Sequence, residues 1–286
     1  MRLTVIYNPK AGHRGWPKGA IEERLRAAGH DPVMVSSRTK WRKWLDEPGD
    51  ALVAAGGDGT VHKLALALAG SERRLAILPL GTANNLARAV GYVPGSDPFA
   101  RVHDWGEAER SLRVECARTG DTGAPFLEVM GAGAFARLME ADDGKKQAFP
   151  LASLIKARRR LVDEVLGGPL LEAEIGVDGR RGGGRFVLLV CLRIPSFGPA
   201  LHLAPDQRPD EDQLTVVGVR NDQREAFGWW LATGEGEPGA FVVARGRCIE
   251  LTAPGPFHVD DRLLDARGGP VVVTTGVATR RVRILV

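Results

Sequence analysis

Cysteines are few in this sequence and long apolar runs are missing, and each shortage excludes something. The three cysteines, Cys116, Cys191 and Cys248, lie far apart and form no Cys-x-x-Cys pair. An odd, scattered set fits buried thiols in a reducing compartment and argues against a disulfide framework or a zinc site. No stretch approaches the about 18 apolar residues that cross a bilayer. Val187–Leu192, six residues, is among the longest. Met1 to Asn8 reads as a strand entering a loop, not as a signal peptide, so a cytoplasmic chain is expected. A Walker A loop, H-E-x-x-H and G-x-S-x-G are all absent, which lowers the case for P-loop, metalloprotease and serine hydrolase chemistry. Gly234–Gly239 fits the G-x-G-x-x-G string, but Glu235, Glu237 and Pro238 would repel or distort a pyrophosphate loop. No repeat or low-complexity tract breaks the chain.

What is present is a globular composition. The 286 residues are 44% apolar and 26% charged, enough for two domains or one large one. A net charge of +4 leans toward an anionic partner such as nucleotide, phosphate or anionic lipid, and is too mild to call for nucleic acid. Residues 1–105 alternate strand and helix patterns. Strands are expected at Leu3–Tyr7, Asp31–Ser36, Ala51–Ala55 and Leu75–Leu80, and helices at Ala20–Ala28, Val61–Ala69 and Ala83–Val90. That order predicts an α/β domain with a parallel sheet. Residues 106–286 change to short alternating segments, among them Phe126–Met130 and Arg185–Leu192, and one helix over Leu151–Leu166. They predict a β-rich, mainly antiparallel second domain, whose last strand could return to the first.

Three loops follow strands of the first domain. Gly56-Gly57-Asp58-Gly59-Thr60 lets the backbone turn sharply and approach a ligand, with a helix N-terminus behind it as an anion site. Gly57 is read as a left-handed position that a β-branched residue would resist. An Asp beside phosphates is informative, because it is repelled unless a metal or a hydroxyl proton intervenes; the plainer reading is a helix cap by Asp58 or Thr60, worth about 1 kcal/mol. Gly81-Thr82-Ala83-Asn84-Asn85 repeats the device, and Asn8-Pro9-Lys10-Ala11-Gly12 adds a third loop with a cation. In a parallel sheet all three leave the carboxyl edge, where α/β ligands bind. Arg88 is a further candidate to offset phosphate charge.

Together, these three stretches resemble, in order and spacing, the signature motifs of the diacylglycerol kinase catalytic domain family. The resemblance continues more loosely through Phe126–Gly133, Leu203–Leu214 and His258–Asp261. It implies an NAD-kinase-like first domain, a β-rich second domain, and ATP with Mg²⁺ in a cleft between them, for transfer of phosphate to a lipid hydroxyl such as that of diacylglycerol. Asn8, Pro9, Lys10, Gly12, Gly56, Gly57, Gly59, Thr60, Gly81, Thr82, Asn84 and Asn85 would bind nucleotide. Asp58, Glu115 and Asp260 are the catalytic candidates, and Asp58 and Asp212 the metal ligands. Departures are Asn85 where many members have Asp, Gln213 for a glycine, and Arg262 where a Glu is expected. They motivate one alternative, a nucleotide- or lipid-binding protein that has lost turnover; the Gly-Gly-Asp-Gly loop, related to that of NAD kinases, leaves another, a kinase of a soluble substrate. A lipid acceptor implies peripheral contact with a membrane surface. The cations Lys156, Arg158, Arg159 and Arg160 on the helix of the second domain, with Trp41, Trp44, Trp229 and Trp230, are candidates for it. A homodimer is left open.

Overall fold

The computed structural model describes residues 1–11, 16–142, 151–264, 269–276 and 279–286, with the backbone alone at 151–153. By its internal contacts the chain divides into two compact units. The first is Met1–Val114 with Arg280–Val286, and the second is Glu115–Thr279. The chain passes from one to the other at Val114–Glu115, inside a strand, where the sequence suggested a boundary at residues 105 and 106.

In the first unit, strands β1 (Arg2–Tyr7), β2 (Asp31–Ser36), β3 (Ala51–Gly56) and β4 (Arg74–Pro79) alternate with helices α1 (Lys18–Ala27), α2 (Asp58–Leu68) and α3 (Asn85–Ala89). The terminal strand Arg280–Leu285 joins them in the order Arg280–Leu285, β4, β3, β1, β2, with every one of these pairs parallel. β3 is buried along its whole length because the sheet is covered on both faces, which is why it reads as an unbroken apolar run. Gly29 and Gly91, at φ +80° and +109°, end α1 and α3 in the left-handed conformation expected of a residue just past a helix. β5 (Glu109–Thr119) runs antiparallel to the terminal strand and carries the chain onward.

The second unit is antiparallel throughout its described strand pairs. β6 (Thr122–Phe126), β7 (Val129–Gly133), β8 (Leu171–Val177) and β9 (Arg180–Leu192) are joined by later strands, including Leu214–Arg220, Cys248–Thr252 and Phe257–Val259. Residues Phe186–Leu192 of β9 are buried on both sides. One face packs into a core of strand residues such as Met130, Ile175 and Leu251, and the other against the helix residues Leu161, Val165 and Trp230. This double burial, not a clean alternation, gives β9 its apolar run. The helices involved are α4 (Ala134–Ala141), α5 (Leu151–Gly167) and α6 (Arg224–Thr233). The single strand expected over Phe126–Met130 is two strands, interrupted at Leu127–Glu128 for a reason that belongs to the site below.

The cations of α5 do not form one outward face. Arg158 donates to the carbonyls of Pro199 and Ala200, and Arg160 forms a two-pronged pair with Asp142 at 2.8 and 2.9 Å. Lys156 and Arg159 remain exposed. Of the four tryptophans considered for a membrane contact, Trp41 and Trp230 are buried, Trp44 is half-buried and Trp229 is 60% exposed.

His258 lies fully buried between Phe135 and Phe197, at ring distances of 4.9 and 6.2 Å. Burial pushes its pKa down to about 4, against a smaller upward pull from Asp260. Between pH about 6.5 and about 4 the unfolded chain therefore takes up a proton that the folded chain refuses, so stability is lost on acidification. We expect His258→Phe to remove about 3 kcal/mol of that acid-side loss. Urea midpoints measured at successive pH values would check it, and parallel acid limbs for wild type and variant would count against it.

Candidate functional site

β1, β3 and β4 are neighbours, and their carboxyl ends are level: Tyr7 pairs with Ala55, and Gly56 with Pro79. The three loops therefore emerge side by side. Asn8 continues the ladder by donating its amide to Ala55 at 2.9 Å, and its side chain accepts from the Lys10 amide at 3.0 Å, a local turn that leaves Lys10 exposed. Pro9 is exposed as well, and Gly12 lies outside the described residues.

The second and third loops touch through their backbones. A Cβ added at Gly81 would fall 2.4 Å from the Gly57 Cα, and one at Gly57 would fall 3.0 Å from the Gly81 Cα. Gly57 itself has φ −89° and ψ −173°, an extended conformation open to any residue. The left-handed reading of this position is corrected: glycine is required here by the neighbouring loop, not by φ. The left-handed residue of the region is Asn84, at φ 51°. Its amide side chain knots its own loop, accepting from the Gly81 amide at 3.0 Å and donating to the carbonyls of Pro79 and Gly81.

Asp58 joins the same two loops by charge. It stands in the first turn of α2, yet its carboxylate accepts from the backbone amides that open α3, those of Asn84, Asn85 and Leu86, the last at 3.0 Å. Burial raises its pKa above the ordinary carboxylate range, and the amides that face it only partly offset this. Neither cap expected from the sequence is found: the N-cap of α2 is Gly57, with no side-chain cap, and Thr60 is buried over Gly56. The N-terminus of α3 is thus filled by the protein's own carboxylate. In the first turn of α2, Gly59 is exposed and a Cβ there meets nothing within 4 Å. Thr82 is half-buried in the third loop, Asn85 is buried, and Arg88 is half-buried on α3.

The candidates of the second unit are committed within it. Glu115, 1% exposed, lies 3.6 Å from the Arg193 guanidinium and accepts from the Thr279 hydroxyl. Asp260 accepts from the amides of Leu127, Glu128 and Val129 at 2.9 to 3.0 Å, and this splits β6 from β7. Arg262 is exposed and straps its guanidinium to the Pro125 carbonyl at 2.8 Å. Gln213 is exposed and does not require a left-handed backbone, so a side chain is accommodated where a glycine was expected.

These features occur together with clear similarity to known proteins. A family model described as "Diacylglycerol kinase catalytic domain" matches residues 2–112. A Pseudomonas aeruginosa protein named "Probable lipid kinase YegS-like" is 32% identical, over 90% of this chain and 85% of its own. The chain belongs to the diacylglycerol kinase catalytic domain family. A second relative of that name, from Pseudomonas fluorescens, is 34% identical over 88% and 85% of the two chains. The "Diacylglycerol kinase" of Bacillus subtilis is 27% identical over 79% and 76%. In fold, the chain is similar to the crystal structure of a diacylglycerol kinase from Bacillus anthracis str. Sterne. The TM-score is 0.69 at 19% identity, covering 99% of this chain and 96% of that one.

Asp58 has its carboxylate taken by amides, and Asp212, 57% exposed, stands 3.7 Å from Arg247. Among the described residues no three His, Cys, Asp or Glu gather as a metal-ligand set. No all-protein Mg²⁺ cage is therefore built around either aspartate; an ion that enters with a nucleotide needs only one or two carboxylates beside the phosphates. Arg193 is the residue that sequence reading passed over; a lone cation closing the apolar run Phe186–Leu192 was the available signal.

The backbone contact at Gly81 and the exposed position of Gly59 separate two substitutions. Gly81→Ala should destabilise the chain by about 1–3 kcal/mol, since its Cβ lands on the other loop. Gly59→Ala, in a helix with nothing to strike, should be neutral or stabilising by up to about 1 kcal/mol. Thermal unfolding of the two variants side by side checks the contrast, and equal losses would contradict it.

Proposed function

We propose that this chain is an ATP-dependent lipid kinase that transfers the γ-phosphate to a hydroxyl of a membrane lipid such as diacylglycerol. The observation that carries the reading is the alignment of the three loops on adjacent parallel strands, with the second and third locked by the Gly57–Gly81 contact and the Asp58 bridge. It is supported by relatives that bear the names lipid kinase and diacylglycerol kinase.

In this reading the nucleotide is gripped by the first unit. The Gly57–Gly59 turn at the start of α2 offers backbone N–H groups and a helix dipole to the phosphates, and the exposed Lys10 offsets their charge. Asn8, Pro9, Gly12, Gly56, Thr60, Gly81, Thr82, Asn84 and Asn85 shape the loops that present these groups. Phosphoryl transfer depends mainly on position and on neutralised charge, so a loop pair held rigid is itself a catalytic contribution. Asp58 then acts as a positioning residue: its carboxylate holds the third loop to the second. The acceptor is met at a membrane surface, which the chain touches peripherally. Among the described residues no helix is long and apolar enough to cross one.

One observation favours a second reading, a nucleotide- or lipid-binding protein without turnover. Asp58, Glu115 and Asp260, the carboxylates expected to do chemistry, are each bonded to groups of their own unit.

Radiolabelled ATP with mixed vesicles containing diacylglycerol separates the two. Label on lipid with wild type, reduced about tenfold or more by Asp58→Asn, supports the kinase. Tight ATP binding with no label on any lipid supports the binding protein, and label on NAD instead would replace the lipid acceptor by a soluble one.

A further inference from the structure

The segment Asp206–Gln213 of the second unit lies between strands, so its carbonyls have no ladder to satisfy them, and a surface loop would normally turn them to water. Here three successive carbonyls are taken by side chains instead. Arg193 donates to the Glu211 carbonyl at 2.6 Å and to the Gln213 carbonyl at 2.7 Å, and Thr275 donates to the carbonyl of Asp212 between them. Gln207 donates to the Gln213 carbonyl as well and accepts from Thr215. Arg193 is entirely buried, and Glu115 behind it is 1% exposed. A buried ion pair is a poor way to gain stability, because desolvation cancels most of the attraction and an apolar pair of the same size does as well. What such a pair supplies is direction: a planar fork with fixed donor angles.

We propose that the Arg193 guanidinium, neutralised by Glu115, is the resident cation of this segment and orders it in place of a divalent ion. Glu115 is then a positioning residue that holds Arg193, not a catalytic acid. Asp212, whose neighbours on both sides are pinned, has its carboxylate directed to solvent beside Arg247 by this fork. A metal at Asp212 would have to displace a cation that already holds the adjacent oxygens.

Amide hydrogen exchange on the full chain tests the assignment without any activity readout, so its outcome is independent of the kinase reading. Exchange at residues 208–214 should be the same with excess Mg²⁺ and with EDTA. In Arg193→Met combined with Glu115→Leu, the same amides should exchange about tenfold faster or more, while β8 and β9 keep their protection. Arg193→Lys, which keeps the charge but loses the fork, should fall between, and Thr275→Val should release the segment more mildly; these serve if the double variant fails to fold. Slower exchange on adding Mg²⁺ to wild type, or unchanged exchange at 208–214 in both Arg193→Lys and Thr275→Val, would overturn the proposal.

Discussion

The site of the first unit depends on the bridge between its second and third loops. β3 and β4 end level, and their chains then part into α2 and α3. Left to themselves, two turns rich in glycine would sample many conformations, and ordering them costs entropy that a ligand would have to supply. The Asp58 carboxylate, accepting from the amides that open α3, and the close meeting of Gly57 with Gly81 remove that freedom beforehand. The cost is visible in the raised pKa of Asp58 and in the use of the α3 N-terminus for an internal anion. What remains exposed is Gly59 at the start of α2, on a loop tied to its neighbour.

A carboxylate inside a protein must be satisfied, and the groups able to satisfy it are the same ones that would make it reactive. Asp58 and Asp260 are both held by runs of backbone amides, and Glu115 by a guanidinium. Each fixes a place where the backbone leaves regular structure: the start of α3, the break between β6 and β7, and the segment before Leu214–Arg220. Acidic residues that read as chemistry from their spacing thus serve as junctions in the fold. The arrangement suits a phosphotransfer protein, since rigid loops and fixed dipoles do much of the work that covalent chemistry does elsewhere.

Much of the first unit was legible because its signals are local. Apolar runs closed by Asn-Pro or Gly-Gly placed the strands to within a residue or two, and Gly29 and Gly91 stopped their helices as a left-handed residue should. The second unit was less open to reading. Phe186–Leu192 of β9 are buried on both faces and Arg180–Arg185 are exposed on both, so its pattern carries no period. β6 and β7 look like one strand until Asp260, about 130 residues later, turns the intervening amides away. α4 and α6 were not anticipated; α6 places Trp229 outward and Trp230 inward, a contrast that depends on packing against α5.

By itself the sequence determined the parallel α/β order of the first unit, the position of three glycine- and asparagine-bearing loops at its carboxyl edge, and the family. These follow from short-range turn chemistry and from the two periods of burial, which any stretch of chain displays. Only the tertiary structure decided what the charged residues do. A carboxylate's role depends on whether amides, a guanidinium or water faces it, and those partners come from 27 residues away for Asp58 with Asn85, and from still farther for Glu115 with Arg193 and Asp260 with Leu127. Spacing along the chain carries no record of such meetings, because they are set by how the strands pair and not by the residues on either side.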